Sequence, residues 1–191
     1  MPKNLKLDSN SATCESSPNL SHKFKEDLRI TPKIKKPLIP KHIFLSEILE
    51  EITFENKQKK EKLVKNCFYM RNLPNLIFSE FVKRIFKYLK PESSTIIISL
   101  IYIDIFLNVD KENLFLTENN IYKIYLAAII LAIKYNEDYF DDNQYFSKVG
   151  GVSLTEINTL EREFLKIIDY RLFVNENLFK VYEDNFVDCE K

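Results

Sequence analysis

Only two glycines occur in these 191 residues, Gly150 and Gly151, and they are adjacent. Loops that cradle phosphate need several glycines at fixed spacing, so that backbone N–H groups can approach the anion. A Walker loop, a dinucleotide fingerprint and a kinase glycine loop are therefore out of reach. Tight hairpins draw on glycine at positive φ and are disfavoured for the same reason. What remains is helices joined by polar loops.

Charge and cysteine usage narrow the chemistry further. Twenty-eight basic and 28 acidic residues cancel, so the basic excess that phosphate contacts demand is absent and direct nucleic-acid binding is not expected. Cys14, Cys67 and Cys189 show no C-x-x-C spacing, and His22 and His42 share no ligand spacing with them. Neither a disulfide framework nor a metal site is expected, and a reducing intracellular setting, nucleus or cytoplasm, is the simpler reading. The opening MPKNLKLDSN has no apolar core of a secretory signal, and apolar stretches such as Tyr125–Ile133 are too short for a bilayer. No G-x-S-x-G, H-E-x-x-H or comparable set is present, so no catalysis, cofactor, small-molecule substrate or membrane association is expected.

Along the chain, residues 1–40 mix Ser, Asn, Lys and five prolines and read as a flexible polar tail. Lys33-Ile34-Lys35-Lys36 within it reads as a solvated linker or a nuclear-import signal. From residue 41 to about 187 the pattern is that of one domain. A first helix starts near His42, with Ile43, Phe44, Ile48 and Ile52 close to one face. Lys57 to Lys62 reads as a solvated linker or a frayed helix. A helix after Pro74 buries Phe78, Phe81, Val82, Ile85 and Leu89, and Pro91 closes it or opens the next. Ser93 to Val109 is apolar nearly all round; its β-branched run permits a strand, but its length favours a central helix. Another helix should start at Thr117 as N-cap and run to Lys134. A short helix through Tyr145 and Phe146 should stop at Gly150. Ser153 and Glu156 form an S-x-x-E box opening a helix that ends near Leu172, and a last short helix covers about Asn175 to Phe186. The class is all-α, with no βαβ alternation.

Several segments, in order, resemble the P-type, PHO80-like cyclin family. Phe68, Arg71, Pro74, Phe81 and Arg84-Ile85 fall on its F-x-S-R-x-x-P…Y-L-x-R-I pattern. Leu100-Ile101-Tyr102-Ile103-Asp104 matches L-I-Y-I-D, with Ile105 where the family has arginine. Ala132-Ile133-Lys134-Tyr135 follows, and then Tyr145-Phe146-Ser147-Lys148-Val149-Gly150-Gly151-Val152-Ser153, close to Y-A-K-V-G-G-V-S. The stretch Glu156 to Leu172 completes the match, which spans roughly residues 42–186.

The resemblance implies a cyclin box: five core helices, a preceding N-terminal helix and a short C-terminal one. It also implies a non-catalytic subunit that binds and activates a cyclin-dependent protein kinase. The alternatives are a cyclin-fold transcription or DNA-associated factor and a kinase-independent scaffold. Lys134 and Glu161 match the lysine and glutamate with which cyclins contact their kinase, and on this reading they stand on exposed helix faces. Glu137, Asp138, Tyr145 and Lys148 belong to a possible kinase-facing loop, with Asp141 and Asp142 beside them. Four residues are assigned to structure. Arg84 is expected to pair with Asp104 inside the bundle, because a carboxylate on an apolar helix needs a partner to offset desolvation. Gly150 and Gly151 are expected to supply positive φ or a tight turn between helices.

Overall fold

A computed structural model describes residues 40–57 and 67–187, the side chains of 185–187 excepted. The tail, its lysine-rich segment, most of the Lys57–Lys62 stretch, Cys14, His22 and Cys189 lie outside the described residues. Seven helices and no strand are found among the described residues: α1 Lys41–Asn56, α2 Phe78–Leu89, α3 Ser93–Val109, α4 Ile121–Asn136, α5 Asn143–Gly150, α6 Leu154–Ile167 and α7 Glu176–Val187. Helices α2 to α6 form the expected five-helix core, preceded by α1 and closed by α7.

The apolar run at the centre is a helix, and it is buried from Thr95 through Leu107 without a break. It packs chiefly against α4, and also against α6 and α7. Helix α4 is nearly as enclosed, buried from Ile124 through Ile133. Around this pair, α1 lies on α2, α2 on α5, and α5 on α6. Aromatic rings fill two of the junctions. Phe106 and Phe164 stack at 4.8 Å, with Phe68 edge-on to both. Phe78 and Phe81 meet Tyr122 and Tyr125 from α4. Such pairs contribute about 0.5–1.5 kcal/mol each beyond the area they bury. The segment before α2 is laid onto the start of α4 by hydrogen bonds: Met70 N–H donates to Asn119 O at 2.7 Å, and the Tyr122 hydroxyl donates to Leu76 O at 2.7 Å.

Helix ends depart from the periodicity at three places. Helix α4 starts at Ile121, four residues after the expected Thr117, with Asn120 as its N-cap. Asn120 Oδ1 accepts from Thr117 N–H at 2.8 Å, and Thr117 O accepts from Asn120 and Ile121 N–H. Thr117 is thereby consumed in a turn ahead of the helix. The αL stop falls on Gly151 (φ +70°) rather than Gly150. Gly150 has a different duty, because a Cβ there would sit 2.5 Å from Leu126 Cδ2, so its bare backbone lets α5 approach α4. Helix α6 ends at Ile167, short of Leu172, where Asp169 and Tyr170 turn the chain at φ +54° each. The Ser153 cap is formed, its hydroxyl accepting from Glu156 N–H at 3.1 Å. The Glu156 carboxylate points away from the box, to Lys123 at 2.7 Å.

The expected Arg84–Asp104 pair is not formed. Arg84 donates from Nε to Val149 O at 2.7 Å and from Nη2 to Lys148 O at 3.1 Å, satisfying the last carbonyls of α5. A guanidinium suits a helix C-terminus, where unpaired carbonyls and the helix dipole both favour a cation. Asp104, 2% exposed, accepts instead from the Tyr182 hydroxyl of α7 at 2.6 Å and from Asn108 Nδ2 at 3.2 Å. Arg84 thus ties α2 to α5, and Asp104 ties α3 to α7.

Gly151 stands against Arg84, with the site of a Cβ 3.2 Å from Nη2. Gly151→Ala is expected to lower the unfolding free energy by about 1–2 kcal/mol, from αL strain and the crowded guanidinium. Urea melts followed by helical circular dichroism measure this; an unchanged midpoint would show the turn tolerates a side chain.

Candidate functional site

Lys134 lies in the last turn of α4, and Glu161 lies on α6, which packs against it. Their side chains meet: Lys134 Nζ donates to Glu161 Oε1 at 2.7 Å and to Oε2 at 2.9 Å. At 23% and 20% exposure they are partly covered, not on the open faces expected from the sequence. Asn143, the first residue of α5, donates from Nδ2 to Glu161 Oε2 at 2.8 Å and to Asn158 Oδ1 at 2.6 Å. The Lys134 ammonium also lies 5.9 Å from the centre of the Phe146 ring. The end of α4, the start of α5 and the middle of α6 thus converge on one ion pair. Sequence reasoning missed Asn143, since no local spacing links it to a glutamate eighteen residues on.

The pair sits where a partner's backbone is chemically welcome. An ammonium has three protons and a carboxylate several lone pairs, so each retains capacity after bonding the other. A helix end offering free N–H or C=O groups would meet both signs of charge at once.

The neighbouring loop divides into structural and exposed members. Glu137 Oε1 accepts from Glu92 N–H at 3.0 Å, placing negative charge at the N-terminus of α3. Asp142 caps α5, accepting from Tyr145 N–H at 2.8 Å. The Tyr145 hydroxyl donates to Tyr88 O at 3.1 Å, anchoring α5 to the end of α2. Lys148 contributes its carbonyl to Arg84 while its side chain is exposed. Asp138 and Asp141 are exposed. So are Tyr139 and Phe140, at 92% and 53%, with Tyr135 close behind at 52%. These rings were also overlooked in the sequence, although an aromatic pair inside an acidic loop is a legible sign of a contact surface. The structure therefore brings Lys134, Glu161 and Asn143 into contact, places Tyr145 and Lys148 on α5, and sets Arg84 and Asp104 apart from the site.

Among the described residues no three His, Cys, Asp or Glu side chains are grouped as metal ligands. No described helix is long and apolar enough to cross a membrane.

The cyclin family model matches residues 7–172. Cyclin-U2-1 of Arabidopsis thaliana is 33% identical over 115 residues, covering 60% of this chain and 51% of that protein. Cyclin-P3-1 of Oryza sativa subsp. japonica is 29% identical over 133 residues, covering 70% and 54%. The PHO85 cyclin-like protein psl1 of Schizosaccharomyces pombe is 30% identical over 117 residues, covering 61% and 48%. The chain spans about half the length of these relatives. A family match over most of the chain, on an all-α fold and with U- and P-type relatives, makes this chain a member of the cyclin family, of the PHO80-like kind.

Proposed function

We propose that this cyclin is the non-catalytic regulatory subunit of a cyclin-dependent protein kinase, which it binds and activates through the surface around Lys134 and Glu161. The observation that carries the reading is the Lys134–Glu161 pair, at 2.7 Å and still partly open to solvent beside exposed aromatic rings. Family membership and the PHO85 cyclin-like name of one relative support it. Net neutrality gives the alternative of a DNA-associated factor no support.

The loop Glu137–Asp142 and the exposed face of α5, with Lys148, form the flank of that surface. Its residues divide the labour: Glu137 and Asp142 shape the loop, while Asp138, Tyr139 and Phe140 face outward for a partner.

Mixing the purified chain with a panel of purified cyclin-dependent kinases tests the reading. At least one kinase is expected to form a 1:1 complex on gel filtration and to phosphorylate a peptide faster with the chain than without it. Complex formation without stimulation would favour a scaffold. Neither binding nor stimulation across the panel would overturn the proposal.

A further inference from the structure

Asn143 opens α5, and its side-chain amide reaches two acceptors on successive turns of α6. Nδ2 donates to Glu161 Oε2 at 2.8 Å and to Asn158 Oδ1 at 2.6 Å, so both of its protons are used. Chemistry sets the direction of this amide. An ionised carboxylate only accepts, so the nitrogen of Asn143, and not its oxygen, has to face Glu161. Asn158 is then obliged to present its own oxygen.

The other end of the same amide is unmet. Asn143 Oδ1 is buried and has no hydrogen-bond partner among the described residues. A buried acceptor without a donor lowers stability. The position therefore gives up some stability to bring N–H donors to α6.

What those donors achieve follows from counting lone pairs on Glu161. Each carboxylate oxygen has two. Oε2 meets Lys134 at 2.9 Å and Asn143 at 2.8 Å, and is full. Oε1 meets Lys134 at 2.7 Å and keeps one lone pair open. Lys134 draws the carboxylate toward α4 while Asn143 holds it toward α5. Without the amide, both oxygens would be open and the carboxylate could turn about the ammonium.

We propose that Asn143 is a positioning residue for the kinase-binding pair, its amide fixing the Glu161 carboxylate so that Oε1 alone stays open to a partner. Asn143 acts on the kinase only through Glu161. This role rests on the kinase reading above and adds to it a residue that prepares the site before the partner arrives.

The test measures Kd for the kinase by titration calorimetry on wild type, Asn143→Ala, Glu161→Ala and the double variant. Urea melts and helical circular dichroism run alongside. Asn143→Ala is expected to weaken binding about tenfold, on the scale of one hydrogen bond to a charged group. In the Glu161→Ala background the same change should alter Kd by less than about twofold, because no carboxylate is left to position. A residue that merely holds α5 would weaken binding equally in both backgrounds. Asn143→Asp keeps the shape and suits the first turn of a helix, but it turns a second carboxylate toward Glu161. It should bind more weakly than Asn143→Ala. Asn158→Ala, the structural control, removes the amide's other acceptor and should leave Kd within about twofold. Equal losses from Asn143→Ala in both backgrounds, no loss in either, or an equal loss from Asn158→Ala would overturn this role while leaving the Lys134–Glu161 site standing. Normal binding by Glu161→Ala would instead remove the proposed kinase site, and this role with it.

Discussion

Asp104→Ala is expected to lower the unfolding free energy by about 3–5 kcal/mol, the cost of removing a buried acceptor from two donors, one of them itself buried. The Tyr182 hydroxyl and the Asn108 amide both bond this carboxylate, and Tyr182 is itself only 3% exposed. Tyr182→Phe should cost about 1.5–3 kcal/mol, the worth of a hydrogen bond to a charged group. The double variant should cost less than the sum, since the bond between the two is lost only once. Arg84→Ala combined with Asp104→Ala should instead add to within about 0.5 kcal/mol, because the two side chains share no partner. Urea melts of the five proteins decide this, and an additive Asp104–Tyr182 pair would remove α7 from the accounting. A pH dependence follows. Burial, and then the Asp104 carboxylate, hold the Tyr182 phenol far above its usual range. The folded state therefore keeps a proton that the unfolded chain releases near pH 10, so this contribution is intact below about pH 10 and is lost as pH rises beyond it.

In binding, the largest effect is expected at Lys134 and Glu161. Removing one charge from a pair that bonds a buried helix end costs about 2–5 kcal/mol at an interface, or roughly 30- to 4,000-fold in Kd. The effect on folding should be smaller. Each side chain is partly covered and bonded to the other, so truncation should cost about 1–2 kcal/mol of stability rather than nothing. Glu161→Ala also strips Asn143 of an acceptor. Titration calorimetry against the kinase, with melts run in parallel, separates the two quantities. Lys166→Ala is the control: that side chain is 53% exposed, reaches only Glu163 at 3.0 Å, and should leave Kd unchanged. Normal affinity in both Lys134→Ala and Glu161→Ala would show that the kinase docks elsewhere.

How far the sequence could be read depended on whether a feature was local. The bounds of α3, Ser93–Val109, were legible because Pro91 and an unbroken apolar run leave little choice. The Ser153 cap was legible for the same reason, since its partner lies three residues away. Thr117 misled because it and Asn120 are both good caps, and which one starts the helix depends on a turn closed by the Asn120 side chain. Arg84 and Asp104 misled more deeply. Asp104 needed a partner, and Arg84 was the candidate because both positions belong to the family pattern, but the helices' rotation decides what each one faces. Arg84 faces carbonyls 64 and 65 residues away, and Asp104 a phenol 78 residues away. The Lys134–Glu161 site was visible only through family motifs; nothing in spacing or composition distinguishes those two residues from other helical charges.

The enclosure of α3 on every side has a consequence for the birth of the molecule. The three helices that pack against it most, α4, α6 and α7, all come later in the chain. As the chain is made, the run from Thr95 to Leu107 emerges with no face that prefers water and with none of those partners yet in existence. About 80 residues separate it from the end of α7, which at 5–20 residues per second is a wait of roughly 4–16 seconds. During that interval the future centre of the domain is its most adhesive part, so successful production depends on what shields the nascent chain as well as on the stability of the finished fold.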